Sequence, residues 1–379
     1  MNGVRIIDCT RVLAGPWATQ QLADQGAEVI KVESPDGDET RGYGPVIDGE
    51  STYFQALNRN KRSVCIDLKT AEGQRVLDAL LQTADVLVDN VRTPAAAKLG
   101  LLPQRIRAVH PHIVHVGIRG FGADTPTEWR DRPGYDVVIQ ALSGGMSLTG
   151  MPDGPPVRSA LPIADLIAGL LATQAVLLGL LQRQKTGQGD HTAVDMMQAN
   201  TASLVYHATR QTLAGDAGGR LGNAHAGLVP YDAYPCSDGW VAIGCGNDRI
   251  WKRLVTALQL TSDSSLDINE QRVARRQHVD SLVATAVAGR TMADCDALFA
   301  THGVPAAPVQ SVAQAVSHQT VNNITIDGRV LPGVMLNTTT TRSQHTRAPA
   351  LGSDTDAVLQ ACGYAASDVE ELRKQGVVR

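Results

Sequence analysis

Two glycine-rich phosphate-binding motifs are missing from this 379-residue chain. No Gly-x-Gly-x-x-Gly follows the first predicted strand, so a nicotinamide-dependent dehydrogenase would lack its phosphate-binding turn. No Gly-x-x-x-x-Gly-Lys-Ser/Thr occurs, which disfavours an ATP-driven ligase and predicts no use of a nucleoside triphosphate. Without a His-x-x-x-His pattern or a clustered Cys/His set, no metal site is expected. The missing Gly-x-Ser-x-Gly elbow weakens a serine-hydrolase interpretation.

The chain also lacks a strong charge bias and a long apolar run. Its 34 Lys and Arg residues face 38 Asp and Glu residues, and no basic cluster appears, so nucleic acid is not an expected partner. The longest uncharged apolar stretch, residues 166–181, is shorter than the roughly 20 residues of a membrane span. We therefore predict a buried core helix there and no membrane partner.

Disulfide motifs and a secretion signal are absent as well. The six cysteines are scattered without a Cys-x-x-Cys pair, and the N-terminus reads as the start of a strand rather than as a signal peptide. Cytosolic proteins keep such thiols reduced. The sequence therefore predicts a cytoplasmic protein with free cysteines.

Apolar periodicity along the first two hundred residues switches repeatedly between strand and helix. Strand-like segments alternate with helical ones, which favours an α/β fold with a largely parallel, covered sheet. We classify this part as a Rossmann-like large domain. The predicted strands are residues 4–8, 27–33, 64–68, 85–89 and 112–118, and the predicted helices are residues 16–25, 71–83, 95–99 and 135–142.

The pattern changes after residue 165. Two long helices are predicted at residues 166–184 and 194–213, followed by a glycine-rich stretch and a hairpin signal around Ser237-Asp238-Gly239. We predict four segments: residues 1–214 as the N-terminal part of the large α/β domain, 215–224 as a linker, 225–310 as a small α+β domain, and 311–379 as a return segment completing the large domain. This last segment includes a strand predicted at residues 333–336.

Asp165 is the carboxylate that stands out. It precedes the long apolar segment and lies near a predicted helix N-terminus. One interpretation is a helix N-cap, which helix-start rules favour. The other is an ionised nucleophile for covalent chemistry, with helix N–H groups stabilising developing oxyanions. Spacing alone leaves both open.

Ten short blocks, in order along nearly the whole chain, carry a resemblance to a known family. They cover residues 10–31, 58–69, 85–100, 120–122, 133–136, 140–144, 165–169, 185–189, 239–251 and 347–352. Each block is weak alone, but together they resemble the family III CoA-transferases, the group that includes formyl-CoA and carnitine CoA-transferases. The resemblance implies an interlocked homodimer.

By this resemblance, Asp165 falls on the family's catalytic carboxylate. The implied substrates are an acyl-CoA and a small carboxylic acid, with CoA passing between acids through an aspartyl anhydride and an aspartyl-CoA thioester. The resemblance also implies a set of CoA contacts: Leu13, Ala14, Ile66, Lys69, Asn90, Val91, Arg92, Lys98 and Tyr135. Lys69 and Lys98 would bind phosphates as point charges.

Two alternatives remain at this point. Racemases of α-methylacyl-CoA share the superfamily, but they carry Gly-His-Asp where this chain has Gly134-Tyr135-Asp136. Tyrosine is a poor base near neutral pH because its reference pKa is about 10, which favours transfer over racemisation. A non-catalytic CoA-binding protein is the other alternative, and the presence of Asp165 disfavours it.

Overall fold

The structure, a computed structural model, describes residues 1–339 and 341–379. Its strands are β1 (Arg5–Cys9), β2 (Glu28–Glu33), β3 (Val46–Ile47), β4 (Glu50–Ser51), β5 (Lys61–Cys65), β6 (Val86–Asp89), β7 (Val114–Arg119), β8 (His191–Asp195), β9 (Tyr231–Pro235), β10 (Trp240–Gly244), β11 (Ala306–Pro308), β12 (Asn323–Ile326) and β13 (Arg329–Pro332).

Helices occupy much of the remaining chain. They are α1 (Ala14–Asp24), α2 (Thr52–Asn58), α3 (Ala71–Gln82), α4 (Thr93–Lys98), α5 (Pro103–Val109), α6 (Thr127–Arg130), α7 (Asp136–Leu142), α8 (Gly145–Leu148), α9 (Ile163–Thr186), α10 (Met196–Ala202), α11 (Tyr206–Ala214), α12 (Asp248–Leu258), α13 (Asn269–Ala274), α14 (Arg276–Val287), α15 (Met292–His302), α16 (Val312–Val316), α17 (Thr355–Ala361) and α18 (Ala366–Lys374).

The chain divides into two compact units. The first contains Met1–Gly145, Arg158–Ala208 and Asn322–Arg379, and the second contains Met146–Val157 and Thr209–Val321. The second unit contains the antiparallel sheet β11-β10-β9, and its buried cluster includes Trp251 and Phe299.

The first unit contains a six-stranded sheet in the order β5-β2-β1-β6-β7-β8, with every neighbouring pair parallel. In order of appearance along the chain these strands follow the 3-2-1-4-5-6 arrangement of a doubly wound fold. The side chains of alternate residues pack into two separate cores, with Ile6 on one face of the sheet and Ile7 on the other. The mixed α/β fold with a parallel sheet is therefore confirmed.

Helix α9 packs by one face only. Its small residues Ala164, Ala168 and Ala172 are buried, whereas Leu178 and Leu181 are 58% and 55% exposed. By length and composition alone this helix is long and apolar enough to cross a membrane, and a third of its most apolar 18-residue stretch is buried. The expectation of a fully buried core helix is thus wrong for this outer face.

Gly169 allows α9 to approach α1 closely. A Cβ at this position would lie 2.7 Å from the carbonyl oxygen of Ala14 and 2.7 Å from Trp17. The glycine four residues after Asp165 therefore holds the first turns of α9 against the chain that follows β1.

Some sequence predictions need correction. The helix predicted at residues 194–213 is instead the end of strand β8 followed by α10 and α11. The Asp195 carboxylate caps α10 by accepting the N–H of Gln198, and Val205, at φ 47°, interrupts the helix. The third strand lies at Lys61–Cys65 rather than residues 64–68. Ile66 still donates to the Glu33 carbonyl at 2.8 Å, but it bridges Val378 instead of continuing the strand.

The strand predicted at residues 333–336 is also wrong. A hairpin forms earlier, between β12 and β13. Its turn contains Asp327 and Gly328, which both have positive φ, as a primed two-residue turn requires. The Asp-Gly pair was the sequence signal for this hairpin.

Candidate active site

A cavity of about 200 Å³ opens at the carboxyl ends of the central parallel strands. This is the point where strand order reverses between β1 and β6, the usual ligand position in open α/β sheets. Its lining comes from the segments after β1, β6 and β7, from residues 132–135 and from the first turn of α9. The topology of the sheet therefore brings distant parts of the sequence to one site.

The segment after β1 is held in a strained conformation. Val12 lines the cavity with φ 68°, a left-handed conformation that is an outlier for a β-branched residue. Its N–H donates to Asp38 at 3.4 Å. Beside it, the Arg11 backbone and the Asn90 side-chain amide exchange two hydrogen bonds of 3.0 and 2.7 Å. These contacts fix the segments after β1 and β6 relative to each other.

Buried ion pairs support the segment after β1. Lys31 pairs with Asp38 at 2.9 Å and donates to the carbonyl of Thr10 at 2.8 Å, while Lys61 pairs with Asp8 at 3.0 Å. Burial opposes ionisation of Asp8, but the charges of Lys61 and Lys31 lower its pKa to about 2. Because unpaired buried charges are costly, breaking either pair should disturb the cavity wall.

Asp165 lies in the cavity wall, in the first turn of α9, and is not the helix cap. Pro162 occupies the N-cap position. Among residues 1–339 and 341–379, no group forms a hydrogen bond or ion pair with the Asp165 side chain. Burial, with a contribution from the negative charge of Asp136, raises its pKa to about 7. At this pKa the carboxyl is only partly ionised at neutral pH, which corrects the expectation of an ionised carboxylate.

The N–H groups at the start of α9 are mostly occupied. Ile163 donates to the carbonyl of Leu161, Leu166 donates to that of Pro162, and Ala164 donates to the Asp136 carboxylate at 2.9 Å. Within the described part of the chain, the N–H of Asp165 itself is the one in this turn without a partner. The predicted oxyanion stabilisation by this helix is thus reduced to one local donor.

Two tyrosines, Tyr53 and Tyr135, lie near Asp165. Burial and the nearby charge of Asp165 raise the pKa of Tyr53 to about 12. Its ring meets Tyr43 edge-on, with centroids 5.4 Å apart. Tyr135 is 56% exposed and lines the same cavity. Tyr53 is a protonated phenol at neutral pH, and the sequence analysis did not single it out.

The nine residues predicted to contact CoA fall into two groups. Those that line the cavity with Asp165 are Leu13, Ala14, Asn90, Arg92 and Tyr135. Those outside its lining are Ile66, Lys69, Val91 and Lys98. Ile66 and Val91 are buried in the core, whereas Lys69 and Lys98 are exposed.

Arginines are the main feature that sequence reasoning did not anticipate. Besides Arg92, the lining includes Arg11, Arg119, Arg130 and Arg132. Guanidinium groups bind phosphates and carboxylates through paired hydrogen bonds. No spacing rule could have grouped them, because the sheet topology alone brings them together.

Two glycines cross at the cavity wall. A Cβ on Gly120 would lie 2.6 Å from the Cα of Gly134, so neither position accepts a larger residue without a backbone shift.

Of the described residues lining the cavity, none is a histidine. An imidazole acid/base is therefore missing from the position that the racemase alternative would need.

Comparisons with known proteins identify the family of the chain. The model of CoA-transferase family III matches residues 1–355. The succinate–glutarate CoA-transferase of Agrobacterium fabrum is 36% identical over 88% of this chain and 88% of its own, and the succinyl-CoA:glutarate CoA-transferase of Mus musculus is 34% identical over 100% and 90%. A CaiB/BaiF family protein from Brucella suis has a TM-score of 0.84 at 32% identity, covering 95% of this chain and 98% of its own.

The chain therefore belongs to CoA-transferase family III. It is an enzyme that transfers CoA between an acyl-CoA and a carboxylic acid.

Proposed function

We propose that Asp165 carries the transfer as a covalent nucleophile. Its carboxylate attacks the thioester carbon of acyl-CoA, the C–S bond breaks, and CoA thiolate leaves behind a mixed aspartyl anhydride. The thiolate then attacks the aspartyl carbonyl carbon, which releases the donor acid as a carboxylate and forms an aspartyl-CoA thioester. Each thioester broken is replaced by another, so no ATP is consumed.

The acceptor acid then runs these steps in reverse. Its carboxylate attacks the aspartyl-CoA carbonyl carbon and expels CoA thiolate, giving a second mixed anhydride. The thiolate attacks the acceptor acyl carbon, and the Asp165 carboxylate leaves unchanged. The first attack needs the ionised Asp165 carboxylate, so a pKa of about 7 predicts activity that rises through neutral pH.

The observation that carries the proposal is the setting of Asp165: an unpaired, partly buried carboxylate in an arginine-lined cavity where the strand order reverses. A carboxylate without hydrogen-bond partners is free to approach a thioester. The phenol of Tyr53 is a candidate donor for the developing oxyanion.

CoA binding is proposed along the same cavity. We infer that Leu13, Ala14, Asn90, Arg92 and Tyr135 contact CoA near its reactive end, and that the exposed Lys69 and Lys98 reach its phosphates outside the cavity. Ile66 and Val91 bury their side chains, so their contacts would come from the backbone.

Dicarboxylic acids are the first substrates to test. Two relatives are named for succinate and glutarate, and a second carboxylate on the substrate would find guanidinium partners in this cavity. Succinyl-CoA with labelled glutarate is therefore the first donor and acceptor pair, followed by monocarboxylic acids.

The deciding experiment follows label and deuterium together. The enzyme is mixed with succinyl-CoA, labelled glutarate and D₂O. Label entering the CoA ester without deuterium at the α-carbon supports transfer, whereas deuterium without label exchange indicates racemisation. Asp165→Ala should abolish exchange while keeping the far-ultraviolet circular dichroism of the wild type. A fully active Asp165→Ala enzyme would reject the mechanism.

A homodimer in the cytoplasm completes the proposal. The outer face of α9 exposes Leu170, Leu171, Leu177, Leu178 and Leu181, an apolar strip that a second copy would cover. All six cysteines are free, which suits a reducing compartment. Light scattering at micromolar concentration should give twice the 40.2 kDa chain mass, and a monomer would remove this part of the proposal.

A further inference from the structure

Two side chains of α7 hold the segment that leads into α9. Asp136 accepts the N–H of Ala164 at 2.9 Å, and Gln140 donates to the other Asp136 oxygen at 2.8 Å. The carbonyl oxygen of the same Gln140 side chain accepts the N–H of Ser159 at 2.8 Å. Asp136 and Gln140 are one helical turn apart and face the same way. The chain just before Asp165 is therefore tied to α7 at two points.

Helix α9 depends on this contact because its own sequence provides no cap. The N-cap residue Pro162 has no side-chain acceptor, and no side-chain cap forms there. The Asp136 carboxylate therefore takes over a function usually served by Ser, Thr, Asp or Asn at the N-cap itself. Its negative charge also lies at the positive end of the helix dipole, where it is favourable.

The same contact controls the surroundings of Asp165. Hydrogen bonds from backbone N–H groups stabilise a carboxylate and make it less basic. Asp136 occupies the N–H of Ala164, the residue directly before Asp165, so that this donor is not available to Asp165. A more basic carboxylate is the better nucleophile once it is ionised.

Charges from several elements face this cavity. Tyr53 of α2 interacts electrostatically with Asp165. The ionisable residues that line the cavity include Glu39, Tyr135, Arg119 and Arg132. The lining also contains the arginines at positions 11, 92 and 130. After burial itself, the negative charge of Asp136 is nevertheless what raises the pKa of Asp165.

We propose that Asp136, held by Gln140, is the positioning residue for Asp165: it anchors the first turn of α9, occupies the N–H of Ala164 and places a negative charge near the nucleophile. This inference rests on the proposed role of Asp165. It assigns a function to the Asp136 and Gln140 pair, which the transfer chemistry itself does not use.

The test moves the charge while keeping the hydrogen bonds. In Asp136→Asn the new amide N–H₂ would face the amide N–H₂ of Gln140, so this variant loses both charge and one contact. In the double variant Asp136→Asn/Gln140→Glu, the Asn oxygen still accepts from Ala164, and the new carboxylate accepts from the Asn amide and from Ser159. The double variant should therefore fold as the wild type does, with the charge displaced by one helical turn.

The first readout does not need catalysis. A water-soluble carbodiimide with an amine labels protonated carboxyl groups, and peptide mass spectrometry reports labelling of Asp165 as a function of pH. The labelling midpoint should move to lower pH in both variants. Asp294→Asn, which retains an acceptor in the capping box of α15 in the second compact unit, is the matched control and should leave the midpoint unchanged.

The second readout is kinetic. Above the midpoint, kcat of the double variant should fall several-fold with an unchanged KM for acyl-CoA, because the weaker base attacks more slowly. Asp136→Ala removes the anchor as well, and kcat should fall on the order of a hundredfold, the usual cost of misplacing a reacting group.

The outcomes separate the two proposals. Identical labelling midpoints in the wild type and the double variant would overturn the electrostatic role of Asp136, and a kcat of Asp136→Ala equal to that of the wild type would overturn its positioning role. A wild-type enzyme that shows the expected midpoints but no CoA exchange would instead contradict the proposed function of Asp165, with the electrostatic role of Asp136 still supported.

Discussion

Replacing Asp165 should make the protein more stable, although it should destroy its proposed activity. The folded structure raises the pKa of this carboxyl to about 7 from its ordinary value of 3.8. The folded state therefore binds the proton more tightly than the unfolded chain does. Between these two values, every rise in pH favours the unfolded state. Above pH 7, the folded protein bears the full cost of an ionised, partly buried carboxylate.

The size of this cost follows from the pKa difference. A difference of about 3 in pKa corresponds to roughly 4 kcal/mol, and partial exposure of the side chain reduces this to about 2–4 kcal/mol. Asp165→Asn removes the charge at nearly constant volume. At pH 8 the variant should gain that full amount, whereas at pH 5, where the folded wild type is already protonated, the gain should shrink to less than about 2 kcal/mol.

Thermal unfolding at the two pH values measures this directly. The melting temperature of Asp165→Asn should exceed that of the wild type by several degrees at pH 8 and by clearly less at pH 5. Asp153→Asn, at an exposed position, is the control, and its stability should stay within about 0.5 kcal/mol of wild type. An equal gain at both pH values, or no gain at pH 8, would show that burial in the cavity does not raise the pKa of Asp165.

Three further predictions test other parts of the structure. Gly169→Ala should destabilise the protein by about 1–3 kcal/mol through overpacking against the chain after β1. Gly246→Ala is the control and should not destabilise it, because a Cβ at that position meets nothing within 4 Å. Urea unfolding of the two variants measures the difference. Burial, with the charges of its neighbours, lowers the pKa of His191 to about 4, so stability should fall as pH drops from 6.5 towards 4, and His191→Gln should flatten that part of the melting curve against pH. Tyr53→Phe should lower kcat far more than KM in a steady-state assay with succinyl-CoA, and an unchanged kcat would exclude the phenol as an oxyanion donor.

Periodicity predicted four strands of the central sheet, displaced β5 by three residues and missed the last strand, β8. Strands β1, β2, β6 and β7 are buried on both faces. The Val, Ile and Leu residues in each marked it as a strand, even where buried polar residues such as Lys31 and His115 interrupt the apolar run. Strand β8 is an edge strand with exposed Thr192 and Ala193. Its short apolar pattern runs directly into the apolar residues of α10. Only Asp195, which caps that helix, marks the boundary between the strand and the helix.

The candidate site was predictable residue by residue only where family resemblance applied. That resemblance selected Asp165, but the surroundings of this residue depend on Asp136, which accepts the N–H of Ala164 from 28 residues earlier in the chain. The contact exists because α7 packs against α9, and no spacing rule relates a carboxylate to the start of a later helix. The elevated pKa of Asp165 could not be foreseen for the same reason, since it arises from burial and from that neighbour.

The covalent modification of Asp165 that we propose for turnover can be observed on the enzyme itself, by peptide mass spectrometry after the enzyme is quenched in acid while it turns over succinyl-CoA. The peptide containing Asp165 should carry the mass of CoA, and hydroxylamine should remove it. An enzyme that turns over while this peptide remains unmodified at every quench time would rule out Asp165 as the covalent nucleophile.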